Sequence, residues 1–473
     1  MPLMGKQATI DRVEERRAEL ETLAGELWEN PELGLQEEES AERIVHTLED
    51  RGFRVETGVG GMPTAFVGEI GTGSPCVGIL GEYDALPGLS QEVSAVREPV
   101  ENGRPGHGCG HNLLGTAGVG AVLALAEAIE AGTLEGTLRF YGCPAEEQLV
   151  GKVYMARDGA FDDLDAALTW HPSDLTRPTR DRSLALDSIV YRFEGESAHA
   201  AASPEAGRSA LDAVQLLNTG VEYLREHVPE AARVHYSIQD GGDAPNVVPP
   251  SASVWYYVRS PERSQVEAIS DWLDDIAEGA AIMTQTEVSR QYLTGCYDYR
   301  PNGTITDVIT KNLHEVEPVA FAEEDRSFAE ALQASLDPGE IDSSLEKLTD
   351  EDRAAVDGHA VYANPVEATN AGEAGGGSTD VGDVSWITPT GQFRATTYPV
   401  GTPGHTWQAV AANGSFGVKG MVFAAKVLAA SAYDLLADPQ LLGEAAAEFA
   451  RTGNDYECSV PGGIEPPFDV WEQ

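Results

Sequence analysis

Residues 106–132 read GHGCGHNLLGTAGVGAVLALAEAIEAG. The first six place one cysteine and two histidines among glycines, and an apolar run follows that stops at Gly132. That run predicts a helix entered through a flexible loop and ended at Gly132, glycine being a usual stop. Around it lie short apolar segments: CVGILGEYDALPG at 76–88, TLRFYGCPAEE at 137–147 and DAALTWHP at 165–172, with a short helix from about Lys152 between the last two. Upstream, residues 8–52 are predicted helical, including DRVEERRAELETLAGELWENPELG with its Pro/Gly stop; GFRVETG and TAFVGEIG follow as strands. Apolar strands alternating with helices imply an α/β layer with a largely parallel sheet.

The pattern changes near residue 187. SIVYRFEGES, a helix over 205–227, ARVHYSIQDGG, SASVWYYVRS, a helix over 261–280 and TEVSRQYLTGC run β-α-β-β-α-β. That order is a ferredoxin-like α+β module. It predicts three segments: 1–186 and 298–473 forming one α/β domain, and 187–297 inserted into it as a second. The later segment holds an acidic helical stretch (303–356), the glycine-rich loop NAGEAGGGSTDVGDVSW at 370–386 and an apolar helix from residue 417. No internal repeat is visible.

Seventy-eight acidic residues against 31 basic give a formal net charge of −47. Such a surface repels phosphate backbones, which excludes nucleic-acid binding. It reads instead as adaptation to high salt, where screening shortens like-charge repulsion to about 3 Å at 1 M. The N-terminus MPLMGKQATIDRVEERRAEL lacks the apolar core of a signal peptide. The run at 115–131 falls short of the ~20 residues of a membrane span and carries glutamates. A soluble, cytoplasmic protein without a membrane partner is expected. Five widely spaced cysteines do not form a disulfide framework; Cys76, Cys143, Cys296 and Cys458 read as buried thiols, with Cys109 the exception.

Chemistry collects where the strands end. One ends at Glu82 and Asp84, the next at Glu146 and Glu147, the third at His171. Sites in open α/β sheets lie outside the carboxyl ends of the strands, so these groups should converge. A thiolate and an imidazole two residues apart, Cys109 and His111, suit zinc, manganese, cobalt or nickel. In extended backbone Glu146 and Glu147 point to opposite sides, so one can hold a metal while the other serves as general base. EEE at 37–39 reads as a solvated helix face. His46, His227 and His314 read as surface residues, and His107 as structural; His235 and His359 carry no assigned role.

The motifs EYDALPG, GHGCGHNLLG, PAEE, TWHP, GESAHAA and APNVVPPSASVWYYVR come in the order of the M20 family of metallopeptidases and amidohydrolases. Over nearly its whole length the chain resembles the branch of aminoacylases, hippurate hydrolases and auxin-conjugate hydrolases. The resemblance implies a two-metal catalytic domain carrying an inserted dimerisation or lid domain. It implies that Cys109, His111, Glu147, His171 and His405 hold two manganese ions, with zinc or cobalt as alternatives, and that Glu146 is the base. Asp84 would orient a ligand. Many relatives carry His-x-Asp where this chain has Glu82-Tyr83-Asp84, so no metal role passes to Glu82. His199 would polarise the scissile carbonyl, in the active site of a partner subunit; Asn246 and Arg259 would contact substrate, and Asp380 and Asp383 would support the site from the glycine-rich loop. The implied reaction is amide hydrolysis of an N-acyl or N-aroyl amino acid such as aminobenzoyl-glutamate, by a homodimer or a pair with a paralogous subunit. The alternatives are a dipeptidase and a non-catalytic metal-binding or regulatory subunit.

Overall fold

The computed structural model describes residues 5–453 and 455–469. Contacts between Cα atoms divide the chain into two compact units. One comprises Met1–Asp181, Arg300–Glu373 and Val384–Tyr456; the other comprises Arg182–Tyr299, Ala374–Asp383 and Glu457–Gln473.

The first unit is built on a seven-stranded sheet. Its strands are β1 (Arg54–Thr57), β2 (Phe66–Thr72), β3 (Cys76–Glu82), β4 (Gly136–Cys143), β5 (Ala166–Ser173) and β6 (Arg177–Pro178), joined late in the chain by a strand at Thr390–Thr396. The second unit holds β7 (Ala185–Glu194), β8 (Arg233–Asp240), β9 (Ser251–Ser260) and β10 (Glu287–Cys296), so the late strand is β11. Sheet order in the first unit is β1-β2-β4-β3-β5-β11-β6. The central four, β4-β3-β5-β11, are parallel, whereas β1, β2 and β6 pair antiparallel at the edges. The centre therefore matches the parallel layer expected from the sequence, and the edges do not. Every residue of β3 is buried, as expected of a strand covered on both faces.

The helix His111–Glu130 covers β3 and is buried almost all round; it packs against the helix Gly417–Ala437 in the main core. Both helices are long and apolar enough to cross a membrane, with 89% and 78% of their most apolar windows buried inside the fold. Such burial is the mark of core helices. Gly115 permits the close approach: a Cβ there would lie 2.6 Å from the carbonyl oxygen of Glu82. The helix is thereby held against the end of β3, which carries chemistry-bearing groups.

Three sequence expectations need correction here. Residues 8–52 form three helices, Lys6–Glu15, Arg17–Glu29 and Glu38–Glu49: the first break falls at Arg16, and the second spans the expected Pro/Gly stop, where Leu35 takes a positive φ of 65°. Glu37, read as solvated, is fully buried. It precedes the third helix and accepts hydrogen bonds from the Ala145 N–H (2.7 Å) and the Thr64 hydroxyl (3.1 Å). Cys458, expected buried, is half-buried, whereas Cys109 is buried.

In the second unit β7, β8, β9 and β10 form one antiparallel sheet of order β10-β7-β9-β8. Helices Ala210–Leu224 and Arg263–Thr284 pack on it around Ile189, Val254, Leu217 and Leu273. β8 lies at the sheet edge, with Tyr236 and Ile238 exposed.

Candidate metal centre

The carboxyl ends of β3, β4 and β5 meet the start of the helix His111–Glu130. Gly110, at φ 82°, turns the loop into that helix; a Cβ on it would lie 2.8 Å from the Pro172 ring. The turn leaves Cys109 Sγ 3.3 Å from His171 Nε2. His171 in turn is fixed by its other ring nitrogen, which donates to the Pro172 carbonyl at 2.7 Å. Tyr398 donates its hydroxyl to the Cys109 carbonyl at 2.9 Å and pins the loop.

After β4 the backbone does not stay extended. Ala145 and Leu149 both adopt positive φ, bracketing a tight 3₁₀ turn at Glu146–Gln148. The expectation that Glu146 and Glu147 diverge because the strand continues is thus overturned; the turn separates them. Glu147 Oε2 lies 3.4 Å from His405 Nε2, and Glu146 Oε2 lies 3.9 Å from His111 Nε2. Ala145 and His405 (φ 62°) are non-glycine residues held in a left-handed conformation, strain of the kind that clusters at functional sites.

Three groups of ligand atoms result, each with members within 4.8 Å of one another: Cys109, His111 and His171; Cys109, Glu147 and His405; Glu82, His111 and Glu146. The first two contain the five ligands expected from the sequence and share the sulfur of Cys109. The third adds Glu82, for which no metal role was expected. Asp84 lies behind His111 and Glu147. Its Oδ1 accepts from His111 Nδ1 at 2.7 Å and its Oδ2 accepts from the Glu147 N–H at 2.9 Å, orienting two ligands at once.

Electrostatics favour a cation. Burial pushes the Cys109 thiol up to about 12, helped by the charge of Glu147, and burial raises Glu147 to about 7 against the pull of His111. Burial works against a charged His111, yet Cys109 and Asp84 hold it well above the ordinary histidine value. Burial likewise raises Asp84, but His111 outweighs it and the net shift is downward. His171 falls to about 3 through burial and the charge of Arg394. Glu147 Oε1 is buried without a hydrogen bond, and His111 Nε2 has the Glu82 carboxylate 3.2 Å away. An orphaned carboxylate oxygen, a thiol, imidazoles and neighbouring carboxylates suit divalent metals of borderline softness.

Sequence reasoning missed two supporting residues. Lys152, fully buried, places Nζ 2.7 Å from Glu82 Oε1 and compensates that carboxylate. A lysine inside GKVYMA, an otherwise apolar segment, was the available signal. Glu37, through Ala145, braces the turn that carries Glu146. His107 is structural, its Nε2 on the Leu27 carbonyl at 3.1 Å, and burial lowers it to about 4.

The other expected residues belong to the second unit. His199 is exposed, and its Nδ1 accepts from the Ala201 and Ala202 N–H groups at 3.2 Å each, which leaves Nε2 as the proton-bearing nitrogen. Asn246 is exposed, and its carbonyl accepts from the Ala200 N–H at 3.0 Å. Arg259, on β9, lies with its guanidinium 5.5 Å from the Tyr257 ring centroid. Asp380 and Asp383 are buried near Cys296. Asp383 accepts from the Tyr297 N–H at 3.0 Å and lies in the first turn of a short helix, Val381–Ile387.

The profile of Peptidase family M20/M25/M40 matches residues 78–434. The chain is 42% identical over 475 residues to one of the subunits of p-aminobenzoyl-glutamate hydrolase from Escherichia coli, covering 96% of this chain and 97% of that one. In fold it is similar to an aminobenzoyl-glutamate utilization protein from Klebsiella pneumoniae (TM-score 0.60, 18% identity, 90% and 97% of the two chains covered). It is similar also to a dinuclear metal binding peptidase of the M20 family from Bacillus subtilis (TM-score 0.55, 18% identity, 90% and 99% covered). The chain belongs to Peptidase family M20/M25/M40 and is a metal-dependent amidohydrolase.

Proposed function

We propose that the protein hydrolyses the amide bond of N-acyl or N-aroyl amino acids, with p-aminobenzoyl-glutamate as its substrate type. The observation that carries this reading is the sulfur of Cys109 shared by two ligand groups, with the carboxylate of Glu146 beside them. The relative named for p-aminobenzoyl-glutamate hydrolysis, alike over nearly all of both chains, supports the substrate.

Cys109, His111, Glu147, His171 and His405 would hold two divalent cations, manganese by preference. When bound, such a pair supplies Lewis acidity and eases deprotonation of water near neutral pH. Glu146 removes the proton from the attacking water and delivers it to the departing amine. Asp84 keeps His111 in one tautomer, and the Pro172 carbonyl does the same for His171. His199 would offer its Nε2–H to the scissile carbonyl in the active site of a partner subunit, as charge develops there. Asn246 and Arg259 contact the substrate, and Asp380 and Asp383 support the surrounding backbone.

The segment 187–297, the main part of the second unit, serves as dimerisation and lid domain. The unpaired edge of β8, with Tyr236 and Ile238 exposed, is the kind of strand edge that takes a partner. The partner is a second copy or a paralogous subunit, the latter in keeping with the relative's designation as one subunit of its enzyme. The charge of −47 suits a salt-rich cytoplasm. The test is to purify this chain alone and assay aminobenzoyl-glutamate, other acyl-amino acids and dipeptides with manganese and with chelator. Chelator-sensitive release of the amino acid is expected. Turnover of dipeptides alone would make it a dipeptidase, and none without a paralogue a dependent subunit.

A further inference from the structure

Beside the metal cluster, within the first unit, β5, β11 and β6 align three side chains in a row. His171 on β5 is the register partner of Arg394 on β11, and Arg394 is the register partner of Arg177 on β6. Side chains of register partners share a face of the sheet. The ring contact between Trp170 and Phe393, centroids 6.3 Å apart, shows which face the preceding pair takes, so His171 and Arg394 share the other. Like charges set directly opposite on adjacent strands oppose pairing. Arg177 feels this: burial and then the charge of Arg394 lower its pKa.

Protein groups offset the conflict only in part: the Asp181 and Asp174 carboxylates favour the charged Arg177, yet its net shift is downward. Arg177 Nη1 and Arg394 Nε are buried without a hydrogen bond, and the carboxylate nearest to Arg177, Asp181, stands 3.6 Å from Nη1. Both guanidiniums line a cavity of about 590 Å³, with Lys347 also in its wall. Three carboxylates line it too, and each is engaged in holding backbone. Asp174 accepts from the Gly401 N–H at 3.0 Å and from the Ser344 hydroxyl; Asp337 and Glu340 form a helix cap. In a chain with a net charge of −47, a cavity with two adjacent guanidiniums, each holding a buried nitrogen without a hydrogen bond, is an exception. Its size suits a small ligand.

We infer that this cavity receives the side-chain carboxylate of an acidic amino acid in the amine half of the substrate, held by Arg177 and Arg394. This rests on the amidohydrolase reading above and narrows it to amides of dicarboxylic amino acids. A planar carboxylate can accept from paired guanidinium N–H groups and cancel their repulsion. Arg394, the register partner of His171, sets this recognition one strand away from the candidate metal ligands.

The test measures binding to the full chain stripped of metal with chelator, by calorimetry, using glutarate, neutral glutaramide and inorganic phosphate as probes. Glutarate should bind more tightly than glutaramide and phosphate, and R177Q and R394Q should each weaken glutarate about tenfold. Equal binding of glutarate and glutaramide by the unaltered chain overturns the inference without any variant. Preference for phosphate overturns it also, as does unchanged glutarate binding by folded R177Q and R394Q. In turnover, the variants should raise KM for aminobenzoyl-glutamate while leaving aminobenzoyl-glutamine little changed. Selective, arginine-dependent glutarate binding without hydrolysis of any amide would uphold the cavity and sink the functional reading. Hydrolysis with the glutamate-to-glutamine preference unmoved in the variants would do the reverse.

Discussion

Asp84→Asn removes one charge and changes almost no volume, so it isolates what the carboxylate does behind the metal ligands. Its two oxygens accept from different donors, His111 Nδ1 at 2.7 Å and the Glu147 N–H at 2.9 Å. An amide has one acceptor oxygen, so its NH₂ must face one of those donors. A hydrogen bond to a charged group contributes about 1.5–3 kcal/mol, and one of the two becomes a donor–donor contact. Either outcome turns a ligand away: His111 loses the partner that sets its tautomer, or the 3₁₀ turn bearing Glu147 loosens. Second-layer substitutions of this kind typically weaken metal binding about 10–100-fold, or about 1.4–2.8 kcal/mol. The assay is competition for manganese against a fluorescent chelator, with circular dichroism to verify that the variant is folded. A folded Asp84→Asn protein with unaltered manganese affinity would refute the reasoning.

Further outcomes follow from the same geometry. Glu146→Gln should lower kcat by about 10²–10⁴ while metal content, measured by elemental analysis, stays unchanged; retained turnover would remove Glu146 as the base. Burial, and next the charge of Asp84, raise Glu37 to about 8 from an ordinary 4.5. Its protonated form therefore stabilises the fold at acid pH, and that contribution is lost as pH rises from about 4.5 to about 8. Glu37→Gln imitates the protonated form, its oxygen accepting from the Ala145 N–H and its NH₂ donating to the Thr64 hydroxyl oxygen, so the stability difference, native chain minus variant, should fall across that window in urea titrations. A flat difference would contradict the burial argument. The melting temperature should climb with potassium chloride from about 0.1 to 1 M as the acidic surface is screened; a constant value would mean that the surplus charge imposes no appreciable repulsion.

What the sequence made legible was the part governed by local pattern. Apolar strands followed by Asp84, Glu146 and His171 announced where the sheet would gather its chemistry, because strand ends in a parallel layer share one side. The two glycines around Cys109 announced a loop able to turn thiol and imidazole inward. Hidden were features that depend on partners distant in sequence. Glu37 lies in an acidic run that resembles any solvated helix start, and only packing against the Ala145 turn, 108 positions later, buries it. Lys152 needed Glu82 as its counter-charge across the fold. The turn at Glu146 replaced an extended backbone because Ala145 is forced to a positive φ that alanine does not favour. The cross-strand row of His171, Arg394 and Arg177 required the β5-β11-β6 order, which no local pattern encodes.

The central claim is that one sulfur joins two neighbouring ligand groups. Anomalous diffraction from crystals grown with manganese measures it directly. The account expects two peaks per chain, one amid Cys109, His111 and His171 and one amid Cys109, Glu147 and His405, both against Sγ. A single peak, or a pair that leaves Cys109 untouched, would contradict it.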